Sequence, residues 1–178
     1  MIPSPMLVLI LSLLSPAHAL TTDRSGLLLD LSAGVGMQVP ATPTQGSALL
    51  GVSWWWGPYD SSYAIGRYWS LGLVDRLDAI PGGFELSPMA EIRRGVDLIV
   101  VGWAVGLGVG PTLPLVAGGS LGGTARASVT GEFRRHRFWS LSLRIEAGAT
   151  WLDGQAAGTA SVLLGTQFSR PMDGQPVE

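Results

Sequence analysis

Between Ser25 and Val39 the chain alternates. Leu27, Leu29, Leu31, Ala33, Val35 and Met37 fall on one side, and Leu28, Asp30, Ser32, Gly34 and Gly36 on the other. A period of two marks a strand with one apolar face, whereas a helical period would bring Asp30 beside Ala33 and Gly34. The pattern recurs six more times. Ala48, Leu50, Val52, Trp54 and Trp56 stand against Ser47, Leu49, Gly51, Ser53 and Trp55, and Trp69, Leu71 and Leu73 against Tyr68, Ser70 and Gly72. Phe84, Leu86, Pro88, Ala90 and Ile92 oppose Glu85, Ser87, Met89, Glu91 and Arg93. Ala125, Ala127, Val129, Gly131 and Phe133 oppose Thr124, Arg126, Ser128, Thr130 and Glu132. Trp139 to Trp151 alternates against Ser140, Ser142, Arg144, Glu146, Gly148 and Thr150, and Ala160, Val162, Leu164, Thr166 and Phe168 form a last apolar face.

The eighth segment is ambiguous on its own. Leu98 to Ala125 carries no charge, and its length invites a transmembrane helix with Gly102, Gly106 and Gly110 as a packing ridge. As a strand, it presents Ile99, Val101, Trp103, Val105, Leu107 and Val109 on one face and Gly102, Ala104, Gly106, Gly108 and Gly110 on the other. Pro111 and Pro114 would interrupt the helix, glycine is a poor helix former, and seven membrane strands without an eighth would leave unpaired edges in lipid. The strand reading follows. Eight strands, most of ten residues or more, predict a closed antiparallel up-and-down transmembrane β-barrel.

Composition agrees with a membrane. Only 13% of residues are charged while 25 are glycine and 7 tryptophan, and charged residues in soluble domains are about twice as frequent. Met6–Leu14 is apolar, Ser15-Pro16 breaks it, and Ala17-His18-Ala19 fits a secretory cleavage site. The expected organisation is a signal peptide over 1–19, a barrel over 20–168 and a polar tail over 169–178. A net charge of −2 offers no basic face, so no nucleic-acid partner is expected, and without cysteine there is no disulfide framework.

With both termini in the periplasm, "GPYDSS", "RRG" and "RRHR" become inner turns, and "PATPTQG", "AIPGG", "PTLPLVAGGSLGG" and "LDGQAAG" outer loops. Trp54, Trp56, Tyr63, Trp69, Phe133, Trp139 and Phe168 then share the periplasmic rim, as an interfacial aromatic girdle requires, and Phe84 and Trp151 mark the outer one. Asp30, Glu91, Arg93, Arg126, Glu132, Arg144 and Glu146 face inward with both signs, so ion pairs are expected to fill the lumen. Eight strands enclose little more than their own side chains, so an open pore is not expected. Arg67 and Asp75 have lipid-facing parity, which a bulge or tilted rim would absorb, and Pro88 removes one ladder donor.

These alternating strands and the closing "GTQF" resemble the small outer-membrane β-barrel proteins of the OmpA and OmpX type. The resemblance implies a bacterial outer-membrane location, with membrane lipid and the barrel-assembly machinery as partners. The class usually ends on an aromatic residue; here Phe168 is followed by "SRPMDGQPVE". The expected role is structural or interaction-related, and not enzymatic. Other expectations are a lipid-modifying acyl hydrolase or transferase, and a soluble lipocalin-like carrier. For the enzyme, Glu132, His136 and Ser140 could be drawn as an acid, base and nucleophile, but His136 sits in the "RRHR" turn, at the rim away from outer-leaflet lipid. Arg134, Arg135 and Arg137 suit lipid headgroups. No convergent metal-ligand spacing or phosphate loop occurs, so no catalytic, cofactor or metal site is assigned and no cofactor is expected. Heat-modifiable gel migration checks the barrel: a detergent-extracted sample should run faster unheated than boiled, whereas a carrier would stay soluble without detergent.

Overall fold

The computed structural model describes residues 22–39, 42–60, 65–80, 83–98, 100–115, 120–136, 139–152 and 154–171. Eight strands follow in order: β1 (Thr22–Val39), β2 (Thr42–Asp60), β3 (Ile65–Ile80), β4 (Gly83–Asp97), β5 (Val101–Pro114), β6 (Gly122–His136), β7 (Trp139–Leu152) and β8 (Gln155–Pro171). Each pairs antiparallel with its neighbour and β8 returns to β1, closing the barrel. Closure gives every strand two hydrogen-bonded flanks, as a wall in hydrocarbon requires. The chain enters at β1 and leaves at β8 on the same rim, called here the terminal rim; the other is the distal rim.

The two faces are inverted relative to a water-soluble barrel. Leu73, Leu164 and Leu107 are 68%, 67% and 64% exposed on the outer wall, while Asp30, Arg93, Arg144 and Glu146 are buried inside. The opening ambiguity resolves the same way. In β5, Val101, Leu107 and Val109 face outward and Gly102, Ala104, Gly106 and Gly108 are buried; Ile99 lies outside the described residues. No helix among the described residues is long and apolar enough to cross a membrane.

The strands are longer and the connections shorter than expected. "RRG" is not a turn: β4 runs on to Asp97, with Arg93 buried inside and Arg94 on the outer face. The alternation simply continues through the arginines, because each has an environment suited to its charge. "GPYDSS" and "RRHR" are likewise largely strand, as are most residues of the proposed outer loops. At the distal end of β7–β8 Gly154 takes φ 73°, a left-handed turn conformation that glycine adopts without strain. β8 runs three residues past Phe168, to Pro171.

The aromatic levels agree with the expectation. Trp54, Trp56, Trp69, Phe133 and Phe168 are exposed toward the terminal rim, and Phe84 and Trp151 toward the distal one; Tyr63 lies outside the described residues. On β3, Trp69 and the Ala79 partner of Phe84 are ten residues apart. At the usual rise and tilt this is about 25 Å, the height of an apolar band.

One local expectation changes and another holds. Asp75 is not tucked away by a bulge: β3 keeps register with both neighbours, so Asp75 sits exposed among apolar residues, opposite Leu50 and Pro88. The register shifts fall instead between Gly34 and Gly36 and between Arg134 and His136. Pro88 does interrupt a ladder, because β4–β5 pairing passes from Leu86↔Leu113 to Ala90↔Val109. An exposed carboxylate in hydrocarbon is unfavourable. Asp75→Leu should therefore raise the barrel's resistance to denaturant in lipid vesicles by about 1–2 kcal/mol, read from the unfolding midpoint.

Candidate functional site: a charged lumen

The interior is the chemically richest region among the described residues. Small side chains make room for large ones. A Cβ on Gly106 would lie 2.7 Å from Ser128 Oγ, 3.0 Å from Arg93 Cγ and 3.2 Å from Glu91 Oε1. Glycine there vacates the volume that two charged side chains from β4 occupy.

Four arginines and four carboxylates form one connected network. Arg76 donates to Asp78 at 2.9 Å and to Glu146, and Asp78 also accepts from Arg126 at 3.0 Å. Arg144 bridges Glu146 at 2.6 Å and Glu91, and Arg93 bridges Glu91 and, at 3.2 Å, Asp30. Neutral donors complete the shell: Ser47 and Ser161 donate to Asp78 and Glu146, and Gln167 Nε2 to Asp30 at 3.0 Å. β3 and β7 are four strands apart in a ring of eight, so the Arg76–Glu146 pair spans the full width of the lumen. Arg126–Asp78 and Arg144–Glu91 each cross three strands. These struts tie opposite walls together.

Six of the seven inward charges expected from the alternation belong to this network. Glu132, the seventh, lies toward the terminal rim and accepts a hydrogen bond from Tyr68 Oη at 3.1 Å. Arg76 and Asp78 are buried inward residues that the sequence reading passed over, and Glu85, which the alternation put on the inward side without counting it among the inward charges, is buried too. Extending the Tyr68–Ser70–Gly72 parity along β3 finds Arg76 and Asp78; assigning Asp75 to lipid already implied them. A small apolar cluster of Leu49, Val74, Met89 and Leu163 shares the interior; Leu49 and Met89 stand where the alternation put them, on the side of the polar residues.

Of the drawn triad, the structure places only Glu132 and Ser140: Glu132 pairs across the ladder with Ser142 and Ser140 with Arg134. The His136 side chain lies outside the described residues. Among the described residues no group of three metal-ligating side chains converges.

No protein-family model and no curated protein matches the chain. Solved structures do. The chain is similar to the outer membrane enzyme PagL, with 19% identity over 78% of this chain and 98% of that one and a TM-score of 0.48. It is similar to the outer membrane protein AlkL, solved in DMPC lipid bilayers, at 10% identity, 92% and 97% coverage and a TM-score of 0.40. Ail, the attachment invasion locus protein of Yersinia pestis, in complex with the heparin analogue sucrose octasulfate, matches at 10% identity, 82% and 99% coverage and a TM-score of 0.32. At these identities the likeness concerns the fold. One expectation is corrected: the chain was read as not enzymatic, yet PagL is an enzyme, so this architecture is compatible with catalysis and its form gives no ground for denying activity.

Removing one member of a buried ion-pair network strands its partners in a low-dielectric interior. Arg144→Met leaves Glu91 and Glu146 each short of a cation, and should lower unfolding stability in detergent by about 3–5 kcal/mol.

Proposed function

We propose that this chain, which has the fold of the small eight-stranded outer-membrane β-barrels, resides in the bacterial outer membrane as a non-conducting barrel with a structural or interaction role at its rims and outer wall. The observation that carries this reading is the Arg76–Glu146 strut across the lumen, buttressed by Arg126, Arg144 and their carboxylates. An ion moving through would have to displace arginines and carboxylates that already satisfy one another. The exposed leucine and valine wall supports insertion in lipid, and it argues against a water-soluble carrier, whose apolar side chains would turn inward. Lipid and the barrel-assembly machinery are the partners this reading calls for, with β8 and its exposed Phe168 as the terminal strand presented to that machinery.

Planar-bilayer recording tests it. The wild-type protein should give no current steps, and Arg76→Ala combined with Glu146→Ala, which removes the central strut, should give small ones. Stable unitary conductance in the wild type would refute the sealed-lumen reading.

A further inference from the structure

The chain has eleven arginines and no lysine, and their distribution is one-sided. Arg76, Arg93, Arg126 and Arg144 are buried in the lumen network. Of the other seven, Arg24, Arg67, Arg94, Arg134, Arg135 and Arg170 belong to the terminal ends of strands, and Arg137 falls in sequence between β6 and β7. The stretches that build the distal end, 37–48, 79–90, 110–124 and 149–158, contain no arginine, lysine or histidine. The cations outside the lumen network all stand at one rim, which also carries Asp23, Asp60 and Asp97, and the other rim has none. A solubility requirement would not choose a rim; a negatively charged partner on one side would.

The structure places a specific patch within that rim. Trp56 pairs across the ladder with Trp69, and Trp69 with Arg94. Both tryptophans are exposed on the outer wall, and the Arg94 guanidinium lies 5.0 Å from the centroid of the Trp69 ring. Arg67, two residues from Trp69 on the same parity, is the diagonal neighbour of Arg94. No ion pair found among the described residues involves Arg94, whereas Arg134 is engaged by Asp97. Stacking on indole holds the guanidinium plane while leaving its donors for another acceptor, and the planar fork suits a phosphate. One row toward the middle of the wall, Leu71 and Ile92 are exposed beside each other. A ligand seated here must therefore present phosphate at the tryptophan level and hydrocarbon immediately next to it.

We propose that the Trp69–Arg94 patch, with Trp56 and Arg67 beside it, binds the headgroup of an anionic phospholipid in the leaflet at the terminal rim. The Arg94 guanidinium favours a lipid with net negative charge over a zwitterion, whose own ammonium competes for the phosphate. Nucleic acid or a soluble phosphoprotein has the phosphate without the adjoining acyl chain that Leu71 and Ile92 would cover. The inference rests on the barrel being embedded in a bilayer.

The test uses the whole barrel in nanodiscs of phosphatidylcholine with a minority of phosphatidylglycerol, and native mass spectrometry of the lipids that stay bound. Wild type should retain phosphatidylglycerol over phosphatidylcholine roughly fivefold beyond the bilayer ratio. Arg94→Gln should bring retention close to that ratio, Arg94→Lys should fall between, and 0.5 M salt should weaken the preference. Arg170→Gln, on the same rim but away from the patch, should leave the preference nearly intact. Equal retention of the two lipids by wild type, a preference unchanged in Arg94→Gln, or a preference lost equally in Arg94→Gln and Arg170→Gln overturns the site while leaving the membrane reading standing. Failure of the wild type to enter either bilayer, with no heat-modifiable species, would overturn both. If Arg94→Gln does not fold, Arg94→Lys and Trp69→Phe carry the decision through partial loss of the preference.

Discussion

A polypeptide that crosses hydrocarbon must satisfy every backbone N–H and C=O from within itself. With strands, the solution is a ring, and the rest of this structure follows from closing one with eight. The β1–β8 ladder removes the edges, β3 and β7 come to face each other across a narrow interior, and alternate residues are divided between lipid and lumen. Even the unpaired stretch around Pro88 is bracketed by regular ladder on both sides.

The narrow interior turns a packing problem into an electrostatic one. Eight strands leave room for side chains and little else, so whatever points inward must pack against its counterpart from the opposite wall. Here the interior is filled by arginine and carboxylate pairs seated over glycine, as Arg93 and Glu91 are over Gly106. Such pairs contribute little net stability compared with an apolar core, since desolvation opposes their attraction. Their geometry does something an apolar filling does not: each arginine of the network is set against a carboxylate from another wall or the same one, so an ion crossing the middle of the lumen meets charges already engaged. The apolar surface, meanwhile, is spent on the outer wall, where lipid replaces the protein interior as the apolar phase.

The outer wall is not uniform. Trp54, Trp56 and Trp69 gather at one rim while Trp151 marks the other, the outward arginines share the first, and among the described residues the carboxylate of Asp75 stands in the apolar band between the girdles. The two ends of the barrel therefore present different chemistry. With the middle of the lumen filled, the surfaces left to meet other molecules are the rims and the outer face.

Eight strands, their facing and the inward charges at Asp30, Glu91, Arg93, Arg126, Arg144 and Glu146 were legible from the sequence, because a period of two in side-chain direction is a local property of the backbone. Leu98–Ala125 needed the other seven segments to be read correctly, since glycine alternation also satisfies a helical ridge. Strand ends were misplaced wherever arginine or proline looked like a turn; Arg93 and Arg94 remain in β4 because one finds carboxylates in the lumen and the other an indole at the rim. Which cation meets which carboxylate was decided only by the tertiary structure. Arg76 and Glu146 are 70 residues apart, and what joins them is the curvature and stagger of a closed sheet, a property of all eight strands together that no local stretch encodes.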